Sequence, residues 1–280
     1  MNYTAILTVY GRQENFFNQV KALKSQTIVP AEIIVFIDKH PVKKSEEILK
    51  FCIDENIQVV SVTSNVGVWG RFSLAMIAKS DFIFILDDDI IPGKKWFENS
   101  LKLLSTYRCV VGGVGVIFQP NTSDYNVMKR IGWVNPEDET TEADVIGHIW
   151  GASKSFFHQF WLEAEDNFKY PRSGEDIHFS WRAQQLGYKV LVPFNGFDKD
   201  NWSNLAGSNF GTDREALSLE ASAILRMAKY LRKVRNKGFS YVSESDELRT
   251  AVQGVSFGIS RGYVHYLKNR FLKILKWLKL

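Results

Sequence analysis

Three consecutive aspartates, Asp87, Asp88 and Asp89, directly follow the apolar run FIFIL at residues 82–86. Adjacent carboxylates repel one another and resist full ionisation unless a cation lies among them. Mg²⁺ and Mn²⁺ prefer oxygen ligands, and proteins bind them through one or two carboxylates together with substrate phosphates. A solvated acidic turn before Pro92 is the alternative, but the buried strand before the motif favours a metal site. The motif therefore predicts Mg²⁺ or Mn²⁺ acting as a Lewis acid on a diphosphate leaving group.

Glu175 and Asp176 form a second acidic pair, at the start of a helix predicted over residues 173–186. A carboxylate in this position can act as a general base that deprotonates an acceptor hydroxyl. The alternative is a helix cap, because Ser173 and Asp176 have the spacing of a capping box and acids favour the first helical turn. Spacing alone favours the cap, but a cap also orients the side chain, so the two interpretations are compatible.

The first half of the chain supplies a scaffold for these motifs by alternating apolar strands with amphipathic helices. Such alternation indicates a parallel sheet of βαβ units. Ligands bind such sheets at the carboxyl ends of the strands, where Asp38 and the three aspartates lie. Strands are predicted over residues 3–10, 32–37, 58–62 and 82–86, and helices over residues 15–25, 45–56, 71–79 and 95–105.

The second half of the chain is less regular. Strands are predicted over residues 109–118 and 188–192, a polar loop over residues 121–141 and an apolar segment over residues 148–157. Residues 198–213 form a polar loop of a length typical of active-site lids, and we expect it to become ordered when donor and metal bind. From residue 214 the pattern predicts helix almost to the end, with a break around residues 238–245.

Composition excludes several classes of protein. The 280 residues are 45% hydrophobic, which is enough for a well-buried core, and the net charge of +4 gives no general basic face for nucleic acid. The N-terminus has no basic region followed by an apolar run, so we expect no signal peptide. No stretch approaches 18 apolar residues, so we expect no transmembrane helix and a cytoplasmic location.

The C-terminal tail is a basic amphipathic segment. Residues 261–280 contain six Lys or Arg and no acid. An apolar stripe runs along one helical face through Leu267, Phe271, Ile274, Leu275 and Leu278. This stripe predicts either packing, within the chain or in a homo-oligomer, or peripheral docking on the inner face of an anionic membrane. Packing is slightly favoured, because an apolar stripe of this size must be covered.

The acidic motifs and their surroundings resemble a known family. The segment SNVGVWGRFSLAMIAKSDFIFILDDD resembles the donor-site region of GT-A fold glycosyltransferases, especially family 2, in which an Asn-x-Gly run leads through a helix to a strand ending in DxD. SGEDIHFSWRAQQLGYKVLVP resembles the acceptor-side Glu-Asp motif of the same family. AILTVYGR and SQTIVPAEIIVFID resemble its first βαβ unit. The likeness covers residues 3–195, although members usually carry Ala-Arg-Asn where this chain has Gly70-Arg71-Phe72.

The resemblance implies an α/β fold of the GT-A, Rossmann-like type, with a mostly parallel sheet flanked by helices and a helical C-terminal extension. The catalytic domain would cover residues 1–213. Within it, residues 1–118 would bind the nucleotide-sugar and residues 119–213 would form the acceptor half and lid. Residues 214–280 would be the extension.

The resemblance also assigns roles to individual residues. Asp89 is the expected direct metal ligand, and Asp87 faces the ribose or the metal. Asp176, next to Glu175, is the expected catalytic base of an inverting single displacement. The residues implied to bind or shape the donor site are Thr8, Tyr10, Arg12, Asp38, Asn65, Gly67, Arg71, Asp87, Asp88, Trp150 and Gly151.

The expected function is transfer from a nucleotide-diphosphate donor, a UDP-sugar by expectation, to a hydroxyl of a glycan, glycoprotein or lipid-linked acceptor. Some GT-A enzymes recruit a downstream His to the metal, but no spacing singles out His148, His158 or His178, so we expect these to be structural. A sugar-phosphate nucleotidyltransferase is disfavoured, because the loop at residues 11–13 lacks a long Gly-rich stretch. A non-catalytic sugar-binding scaffold is disfavoured by the intact acidic motifs.

Overall fold

The apolar segments of the chain assemble into one nine-stranded sheet in the computed structural model, which describes residues 1–40, 45–122, 124–164, 173–206 and 221–244. The strands are β1 (Tyr3–Val9), β2 (Glu32–Ile37), β3 (Gln58–Ser61), β4 (Phe82–Leu86), β5 (Cys109–Phe118), β6 (Val127–Gly132), β7 (Thr141–Glu142), β8 (Val145–Ser153) and β9 (Lys189–Val192). The helices are α1 (Phe16–Lys24), α2 (Glu46–Asp54), α3 (Trp96–Thr106), α4 (Lys154–Phe160), α5 (Glu175–Gln185) and α6 (Ala221–Asn236).

The sheet is parallel in its first half and mixed in its second. Its strand order is β3-β2-β1-β4-β8-β5-β9-β7, and β6 pairs with the outer part of β5. Strands β1 to β4 run parallel, as predicted, whereas β8 runs antiparallel between β4 and β5. The carboxyl ends of β1, β2 and β4 therefore meet the amino-terminal part of β8 at one edge, which we call the carboxyl edge. The expected α/β fold with flanking helices is confirmed.

Buried apolar side chains cover both faces of the sheet. One face packs against the 3₁₀ helix Gly70–Met76 and helices α4 and α5, and the other packs against α1, α2 and α3. Strands such as β4 and β5 are covered on both sides, so almost every side chain in them is buried. A third cluster forms where Leu231 and Val234 of α6 meet Trp181 of α5.

Three segments differ from their predictions. Residues 121–141, predicted as a loop, contain β6 and β7, because these edge strands are half polar and lack an apolar run. The segment at residues 71–79 forms the 3₁₀ helix Gly70–Met76 rather than an α-helix. The apolar segment at residues 148–157 is the end of β8 followed by the start of α4.

The first part of the predicted lid is packed against the loop that follows β4. Gly93 donates its backbone N–H to the Trp202 carbonyl at 2.8 Å, and Ile91 donates to Asn204 Oδ1 at 3.0 Å. Ser203 is fully buried and donates to the Gly113 carbonyl at 2.6 Å. Residues 198–206 thus pack against the loop after β4 and against β5, and their ordering on ligand binding stays a prediction. Residues 207–213 lie outside the described residues.

The described part of the C-terminal extension packs on the catalytic domain. The predicted break is present at Gly238, which has a φ of 93°. Beyond it, the buried carboxylate of Asp144 accepts the Val242 N–H and the Phe118 N–H, each at 2.6 Å, and so anchors the last turn to the end of β5. The amphipathic stripe at residues 267–278 lies outside the described residues. None of the helices described is long and apolar enough to cross a membrane.

Candidate active site

A bulge in β8 places His148 beside the aspartates that follow β4. Between the pairs Gly112–Trp150 and Val114–Gly147, β8 has two residues where β5 has one. His148, one of these two, has a φ of 70°, which is uncommon for a residue with a side chain. Bulges near active sites commonly redirect a side chain in this way.

The redirected histidine completes a candidate metal site. Asp87, Asp89 and His148 each offer one ligand atom, and these atoms lie within 4.8 Å of one another. Asp87 also donates its backbone N–H to the His148 carbonyl at 3.0 Å. His148 thus joins the candidate ligands, contrary to the expectation that it is structural. That expectation rested on spacing along the chain, which does not reveal the antiparallel pairing of β4 with β8.

The environment of Asp89 fits a divalent cation. Its Oδ1 atom is buried and has no hydrogen-bond partner. Burial, together with the neighbouring Asp87 carboxylate, raises the pKa of Asp89 to about 6. Two carboxylates and an imidazole form a mixed oxygen and nitrogen ligand set of the kind that divalent metals accept. These residues therefore fit the expected Mn²⁺ or Mg²⁺.

Arg71 joins the metal side of the site to the acceptor side. Its Nη1 pairs with Asp87, and its Nη2 lies 3.3 Å from Glu175 Oε1. Burial opposes the charge on Arg71, but the surrounding carboxylates outweigh burial and raise its pKa. Burial likewise opposes ionisation of Asp87, yet Arg71 and His148 outweigh it and lower the pKa of that carboxyl. Arg71 thus bridges two acids, and the donor contact that the resemblance implies for it stays a prediction.

Two of the predicted donor-site residues belong to the core. Trp150 is 1% exposed, lies 4.5 Å from the Arg71 guanidinium and packs edge-on against Phe72. A Cβ at Gly151 would lie 2.4 Å from the ring of Phe84, its cross-strand neighbour on β4. Trp150 therefore supports Arg71 from below, and Gly151 makes room for a core ring. The structure does not bring Gly151 to the site.

Helix α5 presents Asp176 toward β8. The helix begins at Glu175, and its N-cap is Gly174, with a φ of 96° and no side-chain cap. Ser173 instead accepts a hydrogen bond from Arg226, so the capping interpretation is wrong. A Cβ at Gly147 would lie 3.3 Å from both carboxylate oxygens of Asp176. The absence of a side chain at Gly147 thus leaves space for the carboxylate.

The Asp176 carboxyl is partly buried at a fixed position. Its Oδ1 is buried without a hydrogen-bond partner. Burial, and after it the neighbouring Glu175 and Asp87 carboxylates, raises the pKa of Asp176 well above its usual value. Ser180, one turn along α5, fixes the helix to the sheet by accepting the Ile146 N–H at 3.1 Å. A carboxyl with a raised pKa at a fixed position is a suitable general base.

Four of the predicted nucleotide-site residues come together at the carboxyl ends of β1 and β2. Asn65 donates to the Tyr10 hydroxyl at 2.9 Å and accepts the Gly67 N–H at 2.8 Å. Asp38 accepts the Val66 N–H at 3.0 Å, and burial raises its pKa. Gly67 has a φ of 74°, a conformation that glycine adopts without strain. These contacts close the loop at residues 65–67 over the end of β1.

The remaining predicted residues lie between this loop and the metal site. Thr8 is buried near the end of β1, and its Oγ1 has no hydrogen-bond partner. Arg12 Nη1 lies 2.8 Å from Asp88 Oδ1 and 3.6 Å from Asp89 Oδ2. His178, by contrast, is fully buried away from the metal residues, between the Tyr230 hydroxyl and the Phe160 carbonyl. His178 is structural, as expected.

Comparison with known proteins identifies the family and supports the fold. The model of the family described as "Glycosyl transferase family 2" matches residues 4–161. The structure of GalNAc-T7 with UDP, GalNAc and Mn²⁺ is similar, with 13% identity, a TM-score of 0.54, and coverage of 84% of this chain and 48% of that chain. At this identity the likeness shows the fold alone.

Weaker likenesses link the chain to TarS of S. aureus. TarS is 15% identical, with a TM-score of 0.48 and coverage of 70% of this chain and 35% of that chain. TarS 1-349 in complex with UDP-GlcNAc is 15% identical, with a TM-score of 0.47 and coverage of 70% and 56%. The chain thus spans about a third to about half of the solved chains it resembles. No curated protein sequence matches it significantly.

Proposed function

We propose, from the premise that this chain belongs to glycosyl transferase family 2, that it transfers a sugar from a nucleoside-diphosphate donor to an acceptor hydroxyl with inversion. One observation carries the proposal. The candidate metal ligands and the Asp176 carboxylate face the same carboxyl edge, and Arg71 joins the two sides. In such a transfer, negative charge on the leaving group must be stabilised on one side of the reaction centre, and the attacking hydroxyl must lose its proton on the other.

Asp87, Asp89 and His148 would hold the metal. When bound, the metal would neutralise the charge that develops on the diphosphate leaving group. The charge balance supports this assignment, because the buried carboxyls Asp89, Glu175 and Asp176 all have raised pKa values although Arg12 lies near Asp89 and Arg71 lies near the other two. Added positive charge would stabilise these carboxyls in their ionised form.

Asp176 would accept the proton of the attacking hydroxyl at a carboxylate oxygen. Direct attack assisted by one base, with no covalent intermediate on the protein, inverts the anomeric centre. The nucleoside would lie among Tyr10, Asp38 and Asn65, whose side chains are tied to one loop. We propose a UDP-sugar as donor, because GalNAc-T7 of the same fold was solved with UDP, GalNAc and Mn²⁺. The acceptor would be a hydroxyl of a glycan, glycoprotein or lipid-linked saccharide.

The test is a panel of nucleotide sugars, assayed for hydrolysis and transfer in Mn²⁺, in Mg²⁺ and in excess EDTA. We expect a requirement for metal, near-complete loss of activity in Asp89→Ala, and a loss of about 10²-fold or more in Asp176→Asn with donor binding retained. Asp54→Asn, a change at an exposed acid of α2, is the matched control and should have wild-type activity. Full turnover in EDTA would refute the metal assignment. Wild-type transfer by Asp176→Asn would refute the base, and a retained anomeric configuration by NMR would refute inversion.

A further inference from the structure

The middle aspartate of the acidic motif, Asp88, is bound by the loop that follows β1. Asp88 Oδ2 accepts the backbone N–H groups of Gly11 at 2.8 Å and Arg12 at 2.9 Å. Asp88 Oδ1 accepts from Arg12 Nη1 at 2.8 Å. Both oxygens therefore accept hydrogen bonds from the loop that follows β1, residues 10–12, which we call the β1 loop. Asp88 is 8% exposed, and its neighbour Asp89 belongs to the metal group while Asp88 does not.

The contact is reciprocal, because side chains that follow the β1 loop bind the backbone of the acidic motif. Asn15 donates to the Asp88 carbonyl at 3.2 Å. Gln19 of α1, which is 1% exposed, donates to the Asp87 carbonyl at 2.7 Å and to the Ile90 carbonyl at 2.8 Å. Two segments about 70 residues apart in the chain are thus locked together in both directions. Such a network of largely buried hydrogen bonds favours one loop conformation.

The β1 loop carries Tyr10, one of the three residues of the proposed nucleoside pocket. Tyr10 immediately precedes Gly11, and its hydroxyl accepts from Asn65 across the pocket. Without Asp88, two backbone N–H groups and the Arg12 guanidinium would lose their common acceptor. The loop would then be free to rotate these peptides and move the Tyr10 ring.

We propose that Asp88 is a positioning residue for nucleoside recognition, which holds the β1 loop in its binding conformation without contacting donor or metal. This inference rests on the proposed function and extends it to a residue that sequence reasoning assigned to direct donor binding. The acidic motif then has two separate roles. Its outer aspartates bind the metal, and its middle aspartate shapes the nucleoside pocket.

The test compares variants of Asp88 and Asp89 in their affinity for uridine, a probe whose binding does not require the metal. Uridine is neutral, so its affinity in EDTA does not respond to the charge removed by a mutation or to metal binding. We expect Asp88→Ala to weaken uridine binding, measured by ligand-observed NMR, by about tenfold or more, because it removes the carboxylate that the Gly11 and Arg12 N–H groups share. Asp89→Ala, one residue away, should stay within about twofold of wild type, although it lacks a metal ligand.

Asp88→Asn is a second variant for the case that Asp88→Ala does not fold. Its amide oxygen can still accept the N–H groups of Gly11 and Arg12. It should show an intermediate uridine affinity, with a raised donor KM and a largely preserved kcat. A merely structural role would instead lower stability and kcat without a selective loss of uridine. Wild-type uridine affinity in both Asp88 variants, or an equal loss in Asp89→Ala, would overturn the inference. If wild-type protein binds neither uridine nor any nucleoside diphosphate in a panel with Mn²⁺, the proposed function itself fails.

Discussion

Replacing Arg71 by methionine tests whether the site is held together by a buried charge. The change removes the guanidinium and keeps an apolar chain of similar length. Arg71 is 7% exposed, and the carboxylates that it pairs with, Asp87 and Glu175, are 22% and 11% exposed. Removing one partner of a buried ion pair costs about 3–5 kcal/mol. Because Asp87 retains some contact with water, we expect a loss near the lower bound, about 3 kcal/mol of unfolding free energy at neutral to alkaline pH.

The pH dependence separates a charge effect from a packing effect. In the wild type the pKa of Asp87 is lowered, so the stability from this pair is present above the unfolded pKa, which is about 3.9, and is lost as pH falls. In Arg71→Met the buried carboxyls lose their counter-charge, and burial raises their pKa values. In the folded variant these carboxyls then have higher pKa values than in the unfolded chain, so the variant becomes less stable as pH rises through that range. Its loss of unfolding free energy relative to wild type therefore grows from acidic to alkaline pH.

Urea unfolding in EDTA near pH 5 and near pH 8 measures this deficit. Arg71→Lys is the matched control, because it retains the positive charge but not the planar guanidinium. It should lose less unfolding free energy than Arg71→Met. A deficit of the same size at both pH values would mean that packing against Trp150, not charge, is what Arg71 contributes. A deficit below about 0.5 kcal/mol at both pH values would refute the bridging role altogether.

Three further predictions concern β8. His148→Asn, chosen because asparagine tolerates a positive φ, should weaken Mn²⁺ binding in calorimetry by about tenfold or more. The control His158→Asn, at an exposed position, should leave Mn²⁺ affinity unchanged. Equal Mn²⁺ affinities of the two variants would remove His148 from the ligand set. Gly147→Ala would place a Cβ 3.3 Å from the Asp176 oxygens and should slow transfer by about tenfold while nucleotide binding is retained; wild-type turnover would contradict this placement of the base. Gly151→Ala would place a Cβ 2.4 Å from an aromatic ring and should cost about 1–3 kcal/mol of stability in urea unfolding; an unchanged midpoint would refute that packing.

The fold could be predicted best where strands are buried on both faces. The predicted bounds of β2, β4 and β5 coincide with those observed, because continuous apolar runs leave little ambiguity of position. Strand β6, VMKRIG, escaped prediction because it pairs with β5 alone and alternates little between apolar and polar residues. Edge strands of this kind are specified by their partner more than by their own composition.

In the candidate site, too, local sequence predicts some residues, whereas the contacts of others depend on tertiary structure. Asp87 and Asp89 could be predicted as candidate metal ligands from local sequence, since adjacent carboxylates at the end of a buried strand repel one another and favour a nearby cation. The contacts of Asp88 and Arg71 do not follow from it. Asp88 meets Gly11, and Arg71 meets Glu175, across long stretches of chain, and only the assembled sheet and helices create these pairs. Tertiary contacts thus determine that Asp88 pairs with the β1 loop while Asp87 and Asp89 group with His148.

Strand β8 shows why its residues were assigned wrongly in part. In a regular strand, residues three apart face opposite sides of the sheet. The bulge at His148 adds one residue and interrupts this alternation. Around it, Gly147 lies against Asp176 of α5, and the Trp150 ring lies against the Arg71 guanidinium. One irregular turn of strand thereby supplies the space for the base, a metal ligand and the support for the bridging cation. Because β4 and β5 hold the bulge on both sides, the separation between metal and base is fixed by the hydrogen bonds of the sheet and not by a loop.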